Sequence, residues 1–101
     1  MKNLTIIVHA GVQQALADSL RALERVEGFT FSHVEGHSHH SEEDPFLSAR
    51  DKVVGYVPRV RVDVLLANGD VDTVLTSLIE QSHLSGQGVY WVTAVEAQGR
   101  L

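Results

Sequence analysis

The stretch from Val34 to Arg61, VEGHSHHSEEDPFLSARDKVVGYVPRVR, decides how the chain is read. It leaves a strand at Val34-Glu35 and passes through a polar segment carrying His37, His39 and His40 with Glu42, Glu43 and Asp44. It re-enters a strand at Pro58-Arg59-Val60-Arg61. Connections in compact domains are usually a handful of residues, and those above roughly 12–15 are functional or disordered as a rule. The segment from Gly36 to Gly55 is therefore the expected seat of function, and the regions on either side of it must build the fold.

Upstream, Asn3 to His9 reads as a short buried strand through Leu4, Ile6, Ile7 and Val8, broken by Ala10-Gly11. From Val12 to about Val26 the apolar residues at 12, 15, 16, 20, 23 and 26 have the spacing of an amphipathic helix. Asp18, Arg21, Glu24 and Arg25 fall mainly on its other face, and Gly28 is the expected stop. Phe29 to Glu35 follows as a second strand, with Phe29, Phe31 and His33 on one face and Thr30, Ser32 and Val34 on the other.

Downstream, Tyr56 to Ala67 alternates cleanly, Val60, Val62, Val64 and Leu66 against Arg59, Arg61 and Asp63. Pro58 suits the start of such a strand, where no ladder bond is required of it. Asn68-Gly69-Asp70 is a turn, with Asp70 the expected N-cap of a second helix. Val71, Val74, Leu75, Leu78 and Ile79 carry that helix to about Leu84, Ser85-Gly86-Gln87-Gly88 breaks it, and Val89 to Glu96 is the last strand.

Two βαβ halves joined by a long connection predict one α+β domain over residues 1–101, a ferredoxin-like βαββαβ unit. Its four-stranded antiparallel sheet should carry both helices on one face, since right-handed crossovers place them together. The other face stays open, with Trp91, Tyr90 and Phe31 expected on it or near an edge, and an open apolar face predicts oligomerisation.

Composition narrows the function. The net charge of −5 lacks the clustered basic excess that nucleic acid binding requires, although Arg50, Lys52, Arg59 and Arg61 form a local patch suited to a small anion. The chain contains no cysteine, which removes disulfides and thiolate metal sites. The apolar run in MKNLTIIVHAGV is too short for a signal-peptide core or a spanning helix. A cytoplasmic protein without direct membrane insertion is expected. No nucleophile–base–orienter set is recognisable, so no enzymatic activity is expected.

Four segments resemble the PII family of trimeric signalling proteins and its PII-like and CutA-like relatives, in the right order over nearly the whole chain. Pro58-Arg59-Val60-Arg61-Val62-Asp63 resembles that family's Pro-Lys-Val-Lys-Ile-Glu strand, and Val71-Asp72-Thr73 opens the second helix as it does there. Gly86-Gln87-Gly88-Val89-Tyr90-Trp91-Val92 resembles its Gly-Asp-Gly-Lys-Ile-Phe-Val segment. Val34-Glu35-Gly36 stands where the family's mobile T-loop begins, and the connection to Pro58 has about the T-loop's length. The resemblance implies a homotrimer with ligand clefts between subunits and a loop that contacts a target protein. In PII proteins the cleft binds ATP or ADP, and the positions carried over are Gly36, Arg59, Gly86, Gln87, Gly88 and Arg100.

The departures from that pattern have a direction. The lysine after Gly-x-Gly is Val89, which removes a phosphate partner, and the T-loop's Arg-Gln pair is His39-His40. A charge-assisted contact contributes about 1.5–3 kcal/mol, so an adenine nucleotide site would be weakened. In exchange, the loop offers imidazoles and carboxylates. His33, His37, His39 and His40 with Glu42 and Glu43 are the chemistry of a divalent transition metal site for Zn, Cu, Ni or Co. The sequence thus resembles the small PII-like proteins associated with heavy-metal efflux systems. The expected function is a signalling adaptor whose His-rich loop senses a metal and regulates a partner such as a membrane transporter or its regulator. The alternative is a sensor of a nucleotide or other anion in the intersubunit cleft. His9, at the end of the first strand, and His83, near the end of the second helix, read as structural.

Overall fold

A computed structural model of the chain describes residues 1–37, 57–82, 84, 86 and 88–101. Its elements run β1 (Lys2–His9), α1 (Gln13–Ala22), β2 (Thr30–Gly36), β3 (Val57–Leu66), α2 (Val71–Gln81) and β4 (Gly88–Ala94), with 3₁₀ turns at Ala10–Val12 and Asn68–Asp70 leading into the helices. The four strands form one sheet in the order β2-β3-β1-β4, every neighbouring pair antiparallel. This is the α+β, ferredoxin-like arrangement that the element order predicts, with the long insertion between β2 and β3.

The pleat sorts the two faces. Leu4, Ile6 and Val8 of β1 stand opposite Val64, Val62 and Val60 of β3, and all six are at most 3% exposed. Leu16 and Leu20 of α1 and Val74 and Leu78 of α2 close the same core from above. Burying branched aliphatics on one side of a sheet against an apolar helix stripe is the main stabilising term in so small a domain. The helices also meet through a buried hydroxyl pair, Ser82 donating to Ser19 at 2.9 Å, which satisfies two polar groups inside the layer.

Three local readings differ from the structure. The first helix ends at Ala22 rather than Val26, because Leu23 turns to an extended backbone with ψ of 116°. Val26 then donates its N–H to the Leu23 carbonyl, and both side chains pack on the core from an irregular segment, so Gly28 is not the helix stop. The second helix ends at Gln81, short of Leu84. Asp70 stands at that helix's N-cap but makes no capping bond; its carboxylate instead accepts from Arg25. A charged partner from the segment after α1 outcompetes the local N–H groups, tying the two βαβ halves together at the surface.

On β2, Phe31 and His33 stand opposite Val62 and Val60, which puts them on the helical side, while Ser32 and Val34 stand opposite Arg61 and Arg59 on the open side. Phe31 packs on the core and meets Phe29 edge-to-face at 5.7 Å. Trp91, paired with Thr5, lies on the open face; Tyr90, paired with Ile6, lies on the helical side of the edge strand β4. Among the described residues, no helix is long and apolar enough to cross a membrane.

Candidate functional site

One end of the sheet collects most of the residues singled out from the sequence. The ladder there pairs His9 with Arg59, Val34 with Arg59, Gly36 with Val57, and Val8 with Gly88. The C-terminal ends of β1 and β2 and the N-terminal ends of β3 and β4 therefore lie side by side. Both ends of the insertion, Gly36 and Val57, are ladder partners at this end.

Arg59 projects to the open face and its side chain lies across Gly36. A Cβ on Gly36 would overlap the Arg59 Cδ and Nε and stand 2.9 Å from its Cγ, so the glycine is what admits the arginine. Gly88 has a comparable role on β4, where a Cβ would come 2.5 Å from the Ile7 carbonyl oxygen. Gly86 adopts a φ of +73°, the left-handed region that favours glycine. Arg59 and Gly36 are thus brought into contact, with Gly88 two strands away across β1. Arg100 is exposed beyond the C-terminal end of β4, and that end pairs with Lys2 at the opposite end of the sheet. Gln87 lies outside the described residues.

His9 closes β1 as a structural residue. It is 9% exposed, and its Nδ1 accepts the Gly11 N–H at 2.9 Å, which caps the 3₁₀ turn leading into α1. Accepting at Nδ1 places the proton of the neutral ring on Nε2.

Of the expected metal ligands, two are described. His33 is exposed on β2 opposite Val60, and His37 follows the end of that strand with its Nε2 3.3 Å from Glu35 Oε2. Both partners of that pair are 64% exposed. Among the described residues no three His, Asp or Glu side chains are placed to hold an ion together. His39, His40, Glu42, Glu43 and Asp44, and with them His83, lie outside those residues.

Sequence reading missed the polar cluster at the centre of the open face. Asp63 accepts from Thr5 Oγ1 at 2.8 Å, from Asn3 Nδ2 at 3.1 Å, and from Arg61 through Nε at 3.0 Å and Nη2 at 3.1 Å. The Arg61 guanidinium in turn lies 5.6 Å over the Trp91 ring. Thr5 is the ladder partner of both Asp63 and Trp91, so register alone assembles the group from three strands. The only advance signal was the run of polar residues at alternate positions, Asn3 and Thr5 on β1 and Arg61 and Asp63 on β3.

The Arg61 guanidinium hydrogen-bonded to Asp63 holds that carboxyl below its usual range, helped by Thr5 and Asn3 and opposed by partial burial. A folded pKa below the unfolded one gives stability that is present above about pH 4 and lost as the pH falls through the folded value. Asp63→Asn is therefore expected to be less stable than the wild type at pH 7, with the difference shrinking below pH ~4. Urea unfolding across pH reads this; a constant gap at every pH would contradict the assignment.

The family model described as "Protein of unknown function (DUF3240)" matches residues 1–101. The crystal structure of a DUF3240 family protein from Shewanella baltica OS155, at 2.40 Å resolution, is similar with a TM-score of 0.78 and 19% identity, over 99% of this chain and 94% of that one. At that identity the likeness is one of fold, and it extends over the whole βαββαβ unit. On the match along its full length, the chain belongs to the DUF3240 family of proteins of unknown function.

Proposed function

We propose that this protein is a PII-like regulatory adaptor, a homotrimer whose insertion between β2 and β3 ligates a divalent transition metal and changes the surface offered to a protein partner. The supporting observation is the meeting of the insertion's two ends at one edge of the sheet, with the Glu35–His37 pair standing at its start. A carboxylate that accepts from one imidazole nitrogen fixes the ring and leaves the other nitrogen to a cation, the usual arrangement around a metal-bound histidine. Here Glu35 would hold Nε2 of His37, so that Nδ1 faces the ion. His39 and His40, with Glu42 and Glu43, follow within six positions of His37 in the chain and supply further ligands of the same class.

Ligation draws the segment around the ion and so selects one arrangement of the loop over others. A partner that binds that arrangement better is thereby switched by metal. A membrane efflux transporter or its regulator is the partner that suits a cytoplasmic metal sensor of this kind. Zn, Cu, Ni and Co all fit a mixed imidazole and carboxylate donor set.

A second reading is favoured by the Arg59–Gly36 contact, which fixes a guanidinium beside the loop base where an adenine nucleotide or another anion could be gripped. Against it stands Val89, 57% exposed on the open face where the family pattern has a lysine. Thermal unfolding separates the two. A ligand present at a hundred times its Kd stabilises the folded state by about 2.7 kcal/mol, a clear rise in Tm. The metal reading expects that rise with one of the four metal ions and little change with ATP, ADP or AMP. A rise with nucleotide and none with metal would replace it with the second reading.

A further inference from the structure

The helices cover one face of the sheet, and the described residues place no layer on the other. By register, Leu65, Val89 and Trp91 stand on that open face, and they are 42%, 57% and 39% exposed. Strand β4 is exposed along all seven of its residues, and Gly88–Ala94 contains neither a charge nor a proline. Edge strands in proteins that remain single are usually blunted by such residues. An edge and a face left apolar together mark a surface that is covered in the working molecule.

The charges of that face identify what covers it. At its centre the guanidinium of Arg61 and the carboxylate of Asp63 neutralise one another through two hydrogen bonds, and Thr5 and Asn3 supply two more to Asp63. A highly charged partner would find little to pair with there. A second copy of the same chain would meet a surface that is apolar, neutral at its centre and internally hydrogen-bonded, and could bury it without stranding a charge. The stack of Arg61 on Trp91 also has the composition of an interface anchor, where Trp and Arg are enriched and rigid contact area is gained at small entropic cost.

We propose that the open sheet face packs against copies of itself, with the Arg61–Trp91 stack, locked by Asp63, as the anchor that specifies the contact. This rests on the homo-oligomer of the reading above and deepens it by naming the face and its central residues.

Sedimentation equilibrium on the full chain tests it, with circular dichroism to verify that each variant folds. The wild type is expected to associate. Trp91→Ala and Arg61→Ala are each expected to raise the dissociation constant by about tenfold or more. Because Arg61→Ala also strips Asp63 of its partner, Val89→Glu provides a variant outside the cluster, and it too should dissociate the assembly. Tyr90→Glu changes the neighbouring residue, 55% exposed but on the helical side of the same strand, and should leave association unchanged. An associated wild type whose Trp91 and Val89 variants associate equally well would overturn the inference and leave the oligomer standing. Equal dissociation by Tyr90→Glu and Val89→Glu would also overturn it, in favour of pairing along the β4 edge. A monomeric wild type would remove both the inference and the oligomer it rests on.

Discussion

Leu78→Ala should lower the unfolding free energy by about 2–5 kcal/mol, the cost of deleting a fully buried leucine and leaving part of its volume empty. Leu78 is 0% exposed in α2, in the core it shares with Leu16 and Leu20 of α1 and the aliphatic faces of β1 and β3. The size of the effect follows from where the core lies. The helical layer has one stripe per helix, and a residue at its centre has no solvent side toward which the structure can relax. Small domains have total stabilities of about 5–15 kcal/mol, so a loss of this size removes a large share. For a domain of this length each kcal/mol moves Tm by about 4–8 °C, giving an expected fall of roughly 10–30 °C. Thermal or urea unfolding of the variant checks it, and a change below about 1 kcal/mol would mean that α2 does not seal the core as described.

Much of this architecture was legible because it rests on periodicity. Val60, Val62, Val64 and Leu66 alternate with Arg59, Arg61 and Asp63 in the chain, and the two sets occupy opposite faces of β3. Leu16, Leu20, Val74 and Leu78 have helical spacing and point into the core. What periodicity could not convey was where a pattern stops being helix. Leu23 and Val26 continue the apolar spacing of α1, yet they pack from a non-helical segment, since burial rewards the side chain and not the backbone that carries it. Asp70 likewise has the right type and place for a cap, and only the tertiary approach of Arg25 decides that it pairs elsewhere.

The candidate site divides along the same line. Gly36, Arg59 and Gly88 were marked one at a time by resemblance; that they share one sheet end, and that Arg59 lies over Gly36, depends on register between strands distant in the chain. The Arg61–Asp63–Trp91 cluster was illegible for the same reason. Arg61 and Asp63 are two residues apart and look like a solvated stripe; the strand β1 between β3 and β4 is what sets Trp91 beside them. The histidines present the opposite case. His37, His39 and His40 are conspicuous by type and spacing, and their chemistry is read from composition more than from geometry.

That chemistry carries the second large effect expected of this protein. Imidazoles at 37, 39 and 40 are the principal neutral nitrogen donors near the base of the insertion, and removing all three leaves carboxylates, which suit Mg and Ca better than the later transition metals. None of the three belongs to the core, so the variant should fold and keep the stability of the parent in the absence of metal. Its metal binding should disappear. Ligation of a neutral imidazole competes with protonation, so binding by the wild type should also weaken as the pH drops below about 6.5.

The most direct measurement is isothermal titration of Zn, Cu, Ni and Co into the wild type and into the His37→Ala, His39→Ala, His40→Ala triple variant at pH 7. Metal sensing through the insertion predicts saturable binding of at least one of these ions by the wild type and its loss in the variant. Equal heats from the two proteins would contradict it.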